Sequence, residues 1–321
     1  MNEPVVVLLG TRYPDLSIEE EVLGDLARLA VGSGGTAAEI IEAAGSARVI
    51  VAGSLPRFTA EVLERLSCRA IVRAGIGVDS VDLAAARRLG YTVAYVPDYG
   101  TETVAQHTLA LALAAVRRLI EADSIVRSGE WGFSKLRPLH LPSSMTVGVV
   151  GFGRIGRRVA ELLRAVGFRR ILVHDAYVMV EGDGIESCGP GEIFSMSDLV
   201  TLHAPGPTDG RPLVGAAELA SMKPGSILIN TARGSLVDGD ALVEALAAGA
   251  PRLAALDVFQ PEPPDLSRFA AVLDRMILSP HTGWYTEESQ ADLRRKSAEE
   301  ARRVILGESP RNAAVLPEET T

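Results

Sequence analysis

The sequence predicts an α/β chain of two doubly wound units with parallel sheets, the first unit interrupted by the second. Three observations carry this. Short β-rich apolar runs alternate with helix-periodic stretches along most of the 321 residues. A glycine-rich strand-to-helix turn lies near the middle of the chain. A long amphipathic helix follows the last predicted strand.

In the first unit the strands are VVVLL (residues 5–9), RVIVA (48–52), AIVR (70–73) and TVAYV (92–96). Residues 17–29, 36–44, 59–66 and 81–89 carry apolar side chains at helical spacing. Strands and helices that alternate in this way build a parallel sheet covered on both faces. A long apolar helix over residues 102–119 then leads through 128–141 to a second alternation. Its strands begin at Thr146 and continue at 171–175, 199–203, 226–231, 253–258 and 276–279. Its helices cover 154–166, 216–222 and 238–248. The closing helix, 287–306, is expected to have no strand after it and to pack back across the first unit. The expected domains are residues 1–100 with 286–321, and residues 101–285.

A hydrophobic content of 47% with 23% charged residues is ordinary for a globular protein. A net charge of −9 without any long basic run argues against nucleic acid or an anionic membrane as partner. Positive charge is almost all arginine, since Lys135, Lys223 and Lys296 are the only lysines. The N-terminal apolar run is too short for a signal-peptide core, and no segment approaches the ~20 apolar residues of a membrane span. Cys68 and Cys188 stand far apart, with neither metal-type nor disulfide-type spacing, so a reducing cytoplasm is expected and no metal.

The glycine turn is VGVVGFGRIGRRV, residues 147–159. Gly151 is expected to make the tight turn, Gly153 to admit a pyrophosphate, and Gly156 to let the helix pack on its strand. The helix starting near Arg154 and Ile155 would direct N–H groups and a positive dipole end at that pyrophosphate. Asp175 ends the next strand 19 residues past Gly156, where a carboxylate accepts from a ribose diol and repels a 2′-phosphate. Together these features predict a Rossmann-like fold binding NAD in preference to NADP.

Three later segments each end a strand near a polar residue: INTARGSLVD (229–238), ALDVFQPEP (255–263) and LSPHTGWYTEE (278–288). Ligands of open α/β sheets bind at the carboxyl ends of the strands, so Arg233, Glu262 and His281 are expected to face the cofactor crevice. Removing hydride from a secondary alcohol requires a base for the hydroxyl proton, a role suited to His281. A carboxylate at Glu262 would fix the tautomer and favour the imidazolium. An arginine fork at Arg233 would hold a substrate carboxylate bidentately. His107, His140 and His174 have no such support, and His203, at a strand end, is expected near the cofactor in a structural role.

With IVRAGIGVDSVDL (71–83) and VPDYGTETVAQHTLAL (96–111), these motifs resemble the D-isomer-specific 2-hydroxyacid dehydrogenase family over essentially the full chain. The resemblance implies that Arg233 binds the substrate carboxylate, that His281 is the acid/base and that Glu262 pairs with it. It implies that Asp257 bonds the nicotinamide carboxamide and that Thr108 approaches the cofactor from the long helix. Thr231, Ala232, Arg233, His281 and Gly283 would line the same cofactor, as would His203, Ala204, Pro205 and Thr208. The APGPT loop at 204–208 departs from the family pattern, which has a Leu after the first proline. Backbone N–H groups at Gly75, Ile76 and Gly77 would meet the substrate carboxylate.

HTGWYTEES (281–289) is similar to the C-terminal-binding-protein branch, which would put Trp284 on the substrate pocket; a core or interface Trp is the other reading. The family implies a homodimer through residues 101–141, with Trp131, Phe133 and Leu136 adding apolar surface. The function expected is NAD-dependent interconversion of a D-2-hydroxy acid and its 2-oxo acid. One alternative is an NAD-binding co-repressor-like scaffold, against which stand the complete catalytic trio and the short stretch after the last helix. Another is oxidation of a phosphonate or phosphite, an anion Arg233 would also accept.

Overall fold

Five apolar residues in a row, each buried, make β1 (Val5–Leu9) an inner strand covered on both faces. Around it the chain winds α1 (Ser17–Leu23), β2 (Arg28–Gly32), α2 (Ala37–Ala44), β3 (Ala47–Ala52), α3 (Ala60–Arg65), β4 (Ala70–Arg73), α4 (Leu83–Arg88) and β5 (Thr92–Tyr95). These strands pair in parallel in the order β2-β1-β3-β4-β5, one of the two common doubly wound arrangements. The computed structural model describes residues 4–11, 13–182, 184–207 and 209–317. It divides into two compact units, Met1–Gly100 with Thr286–Thr321, and Thr101–Tyr285.

The second unit opens with α5 (Thr101–Val116) and α6 (Leu119–Arg127). Next come β6 (Thr146–Val150), α7 (Arg154–Ala165), β7 (Arg170–His174), β8 (Glu181–Gly182), β9 (Ile185–Ser187) and α8 (Glu192–Met196). β10 (Leu199–Leu202), α9 (Ala216–Ser221), β11 (Ile227–Asn230), α10 (Gly239–Ala248), β12 (Leu253–Leu256) and β13 (Met276–Leu278) complete it. The sheet order β13-β12-β11-β10-β6-β7-β9-β8 reverses direction between β6 and β10, the switch point where such sheets bind ligands. Alternate residues of its inner strands serve opposite faces. Val147, Val149, Ile171, Val173 and Ile229 pack in one core, and Val150, Leu172, Val200, Leu202 and Leu228 in the other. Each fully buried Leu or Ile contributes about 1.5–3 kcal/mol. On α7 the buried Gly156, Val159, Ala160 and Leu163 follow helical spacing and seat the helix on the first of these cores.

The chain then returns to the first unit through α11 (Glu287–Ile305) and β14 (Ala313–Val315). Leu293, Ala298 and Ala301 of α11 are buried, and so is the Arg294–Glu19 ion pair to α1. Arg294 Nε and Nη2 reach the two carboxylate oxygens at 2.9 and 2.6 Å, and Nη2 also donates to the Asp15 carbonyl at 2.8 Å. No described helix is long and apolar enough to cross a membrane.

Several sequence expectations need correction. The helix expected over 17–29 stops at Leu23, and 28–32 becomes β2, because that segment pairs in parallel along all of β1. The single helix expected over 102–119 breaks at Arg118, whose φ of 50° is left-handed, and α6 starts afresh. A strand does follow α11: β14 pairs antiparallel with β5. β8 is a second antiparallel edge strand, so neither sheet is wholly parallel.

Candidate active site

Two of the motif's glycines are compelled by sterics. Gly151 has φ +88°, and a Cβ there would lie 2.6 Å from the His203 carbonyl carbon, where His203 N donates to Val150 O at 2.7 Å. A Cβ on Gly156 would lie 2.1 Å from the Gly151 carbonyl oxygen. Gly153 differs: nothing lies within 4 Å of its Cβ position, so protein packing does not explain the glycine there. No side chain caps α7, whose first residues Arg154, Ile155 and Gly156 direct N–H groups and a positive dipole end outward. Open space beside an uncapped helix N-terminus fits a pyrophosphate.

Asp175 reinforces the turn. Its Oδ2 accepts from Phe152 N at 2.6 Å, and its Oδ1 accepts from Tyr177 N and Val178 N at 2.8 and 3.1 Å. Partial burial pushes this carboxyl up, but the three N–H bonds outweigh it and hold its pKa below the ordinary value. An ionised carboxylate therefore stands at the end of β7. His203, at the end of β10, shares a 3.0 Å bond between its Nε2 and Thr201 Oγ1, and burial pushes its pKa down to about 3. The imidazole is neutral at physiological pH. Ala204 packs on the neighbouring core while Pro205 is exposed; Thr208 lies outside the described residues.

The loops after β11, β12 and β13 bring the expected trio into one network. Asn230, buried at the end of β11, accepts from Ala232 N at 3.0 Å through Oδ1 and donates from Nδ2 to the Arg233 carbonyl at 2.8 Å. That clamp fixes the turn bearing Arg233, whose Nη1 donates to the Ala232 carbonyl at 2.6 Å. A Cβ on Gly234 would lie 2.0 Å from the Phe259 carbonyl carbon, so the Arg233 turn lies directly on the loop that carries Glu262. Glu262 Oε1 accepts from Phe259 N at 2.9 Å, and Oε2 meets His281 Nδ1 at 2.7 Å. Partial burial pushes the Glu262 carboxyl up. The bonds from His281 and Phe259, with the nearby charges of His281 and Arg233, outweigh burial and hold it below its ordinary value.

His281 has φ +55°, left-handed for a residue with a Cβ, at a cost on the order of 1–3 kcal/mol. The proline before it constrains Ser279 and left this conformation unannounced in the sequence. Asp257 supports the strained residue. Its carbonyl accepts from His281 N at 2.8 Å, its Oδ1 from Ser279 Oγ at 2.6 Å and Thr282 N at 2.9 Å, and its Oδ2 from Gly283 N at 2.8 Å. Trp284 is half-buried, edge-to-face with Tyr285 at 5.6 Å between ring centroids.

Two expectations gain detail. Thr108 has no exposed surface: its hydroxyl donates to the Val104 carbonyl at 2.8 Å and meets Thr231 Oγ1 at 2.9 Å, so it braces Thr231. In the first unit, Gly75 N already donates to the Arg73 carbonyl at 2.8 Å, and the Arg73 guanidinium donates to the Ala74 carbonyl. The N–H groups expected to meet a carboxylate there narrow to Ile76 and Gly77. Asn230, Gly234, Ser279 and His107 were missed. An Asn closing an apolar strand and a Gly following the Arg were the available signals for the first two.

Residues 109–283 match the family model described as the NAD binding domain of D-isomer specific 2-hydroxyacid dehydrogenase. The chain is 36% identical over 302 residues to a D-3-phosphoglycerate dehydrogenase of Methanocaldococcus jannaschii, covering 92% of this chain and 57% of that protein. It thus spans little more than half the length of that relative. A glyoxylate reductase of Aeropyrum pernix is 37% identical over 255 residues, covering 76% of this chain and 75% of that protein. The solved structure of D-lactate dehydrogenase from Aquifex aeolicus, complexed with NAD and lactic acid, superposes with a TM-score of 0.85 at 27% identity, covering 98% of this chain and 100% of that one.

Proposed function

The chain belongs to the D-isomer-specific 2-hydroxyacid dehydrogenase family, with NAD as its cofactor, and on that premise we propose an oxidoreductase that interconverts a D-2-hydroxy acid and its 2-oxo acid. The observation that carries the proposal is the 2.7 Å bond between Glu262 Oε2 and His281 Nδ1, with Arg233 held on the adjoining turn. A carboxylate on Nδ1 leaves Nε2 as the nitrogen that takes the hydroxyl proton and returns it. Arg233 fixes the substrate carboxylate and polarises the neighbouring carbonyl. The base is worth ~10²–10⁴ in rate, and alignment of C2 supplies much of the remainder. Bound NAD supplies the hydride acceptor, and its reduced form the donor for the reverse reaction.

In this proposal Gly151, Gly153 and the start of α7 hold the pyrophosphate and Asp175 the ribose diol, which favours NAD over NADP. Asp257, Thr231, Ala232, Gly283 and the residues from His203 to Pro205 line the rest of the cofactor. Trp284 is assigned to the substrate pocket, in keeping with the proposed kinship to the C-terminal-binding-protein branch. Ile76 and Gly77 are assigned to carboxylate binding. A cytoplasmic location is in keeping with two unbridged cysteines. A homodimer is proposed through residues 101–141, but α5 buries its apolar side chains in its own unit, so the surface left for pairing is that of α6 and the segment after it. No residue of α6 is buried, and Leu119, Ile120, Val126, Trp131, Phe133 and Leu141 are exposed together, while Leu136 is half-buried.

The test is NADH oxidation with a panel of 2-oxo acids that includes glyoxylate, pyruvate and phosphohydroxypyruvate. Turnover of at least one member is expected. NADH binding without oxidation by any of them would sink the proposal.

A further inference from the structure

We infer that His107 is a positioning residue of this site: it heads a relay, His107–Ser279–Asp257, that holds the loop of the acid/base His281, with its proton on Nε2. The inference takes the role of His281 from the function proposed above; the relay itself stands on geometry.

His107 Nε2 lies 3.0 Å from Ser279 Oγ, and Ser279 Oγ lies 2.6 Å from Asp257 Oδ1. A hydroxyl has one hydrogen. Both Asp257 oxygens already accept backbone N–H bonds, from Thr282 and Gly283, so the carboxylate takes the Ser279 hydrogen. Ser279 Oγ can then only accept from His107, and Nε2 must carry a proton. His107 Nε2 also lies 3.6 Å from Asp257 Oδ1, so a charged ring would be attracted by the same carboxylate.

The loop lies close against both ends of the relay. A Cβ on Gly283 would come within 2.9 Å of Asp257 Oδ2 and 3.1 Å of His107 Cδ2. Asp257 holds His281 at its backbone, and Ser279, Thr282 and Gly283 through its side chain, so the left-handed turn at His281 is fastened on both sides. The next residue of α5 performs the matching task, since Thr108 Oγ1 bonds Thr231 Oγ1 two residues before Arg233. One rigid helix therefore ties down both the acid/base loop and the anion-binding turn. Without the His107 donor, Ser279 is free to rotate from Asp257, and the loop loses one of the donors that fix it.

The test uses the full chain with His107→Phe, Ser279→Ala and His107→Gln. The Phe and Ala variants are expected to lower kcat by about 10- to 100-fold, as for a small misplacement of a reacting group. KM for NADH should change little, and amide exchange at Thr282 and Gly283 should quicken. His107→Gln, which retains an N–H donor, should recover most of both. Nitrogen NMR of the parent should show His107 protonated at Nε2. Parent-like exchange in both disruptive variants, or a neutral ring protonated at Nδ1, would overturn the relay. Quickened exchange with unchanged kcat would overturn the positioning role. If the parent turns over no 2-oxo acid, the proposed function fails, while exchange and NMR still decide the relay.

Discussion

His281 combines an unfavourable backbone with a well-held side chain, and the two can be separated by mutation. His281→Ala should abolish turnover while leaving NADH affinity within about threefold, since the loss expected of a missing acid/base is ~10²–10⁴. Fluorescence titration with single-turnover kinetics checks both halves; activity near that of the parent would remove His281 from the chemistry. Glu262→Gln preserves the shape but not the charge that favours the imidazolium. The acidic limb of hydroxy-acid oxidation, which requires the neutral ring, should then move to lower pH. Glu262 itself has a depressed pKa, so its pairing contributes fully above the ordinary value of 4.5 and is lost as pH falls through the lower folded value. An acidic limb that stays in place in Glu262→Gln would separate Glu262 from His281. The trio was legible because each member follows an apolar strand, and strand ends converge in such a sheet. The His107–Ser279 contact was not, because it joins residues 172 positions apart and exists only after α5 has packed.

Element by element, the inner strands and amphipathic helices announced themselves, whereas the edges did not. β2, none of whose residues is buried, and the three-residue β14 have too little apolar pattern to stand out. Both are made by pairing to a strand already in place, which no local window reports. The Arg294–Glu19 pair was equally silent, since its partners lie 275 residues apart. It fastens α11 to α1, and truncating one partner leaves a buried charge. Arg294→Met should therefore cost about 3–5 kcal/mol, and the double change with Glu19→Met much less. Urea unfolding measures both. A double variant as unstable as the single would show that packing, and not the stranded charge, sets the cost.

For the whole molecule, the two-unit division could be read from the central glycine turn and the long closing helix, while the proposed homodimer rests on the exposed apolar side chains after α5. The homodimer predicts a light-scattering mass near twice the 34.0 kDa of one chain at micromolar concentration. Leu119→Glu combined with Trp131→Glu should shift that mass toward a single chain. A parent mass near 34.0 kDa would exclude the dimer, and an unchanged dimer in the double variant would exclude this surface. The return of α11 and β14 to the first unit also sets an order in time. Residues 101–285 are synthesised before the segment that closes the first sheet. At about 5–20 residues per second, the outer edge of β5 waits roughly 10–40 s for its β14 partner. During that interval its unpaired backbone groups are open to pairing with any other strand. The unit whose synthesis starts first is therefore the last to be finished, and the newborn chain is most exposed to misassembly along β5.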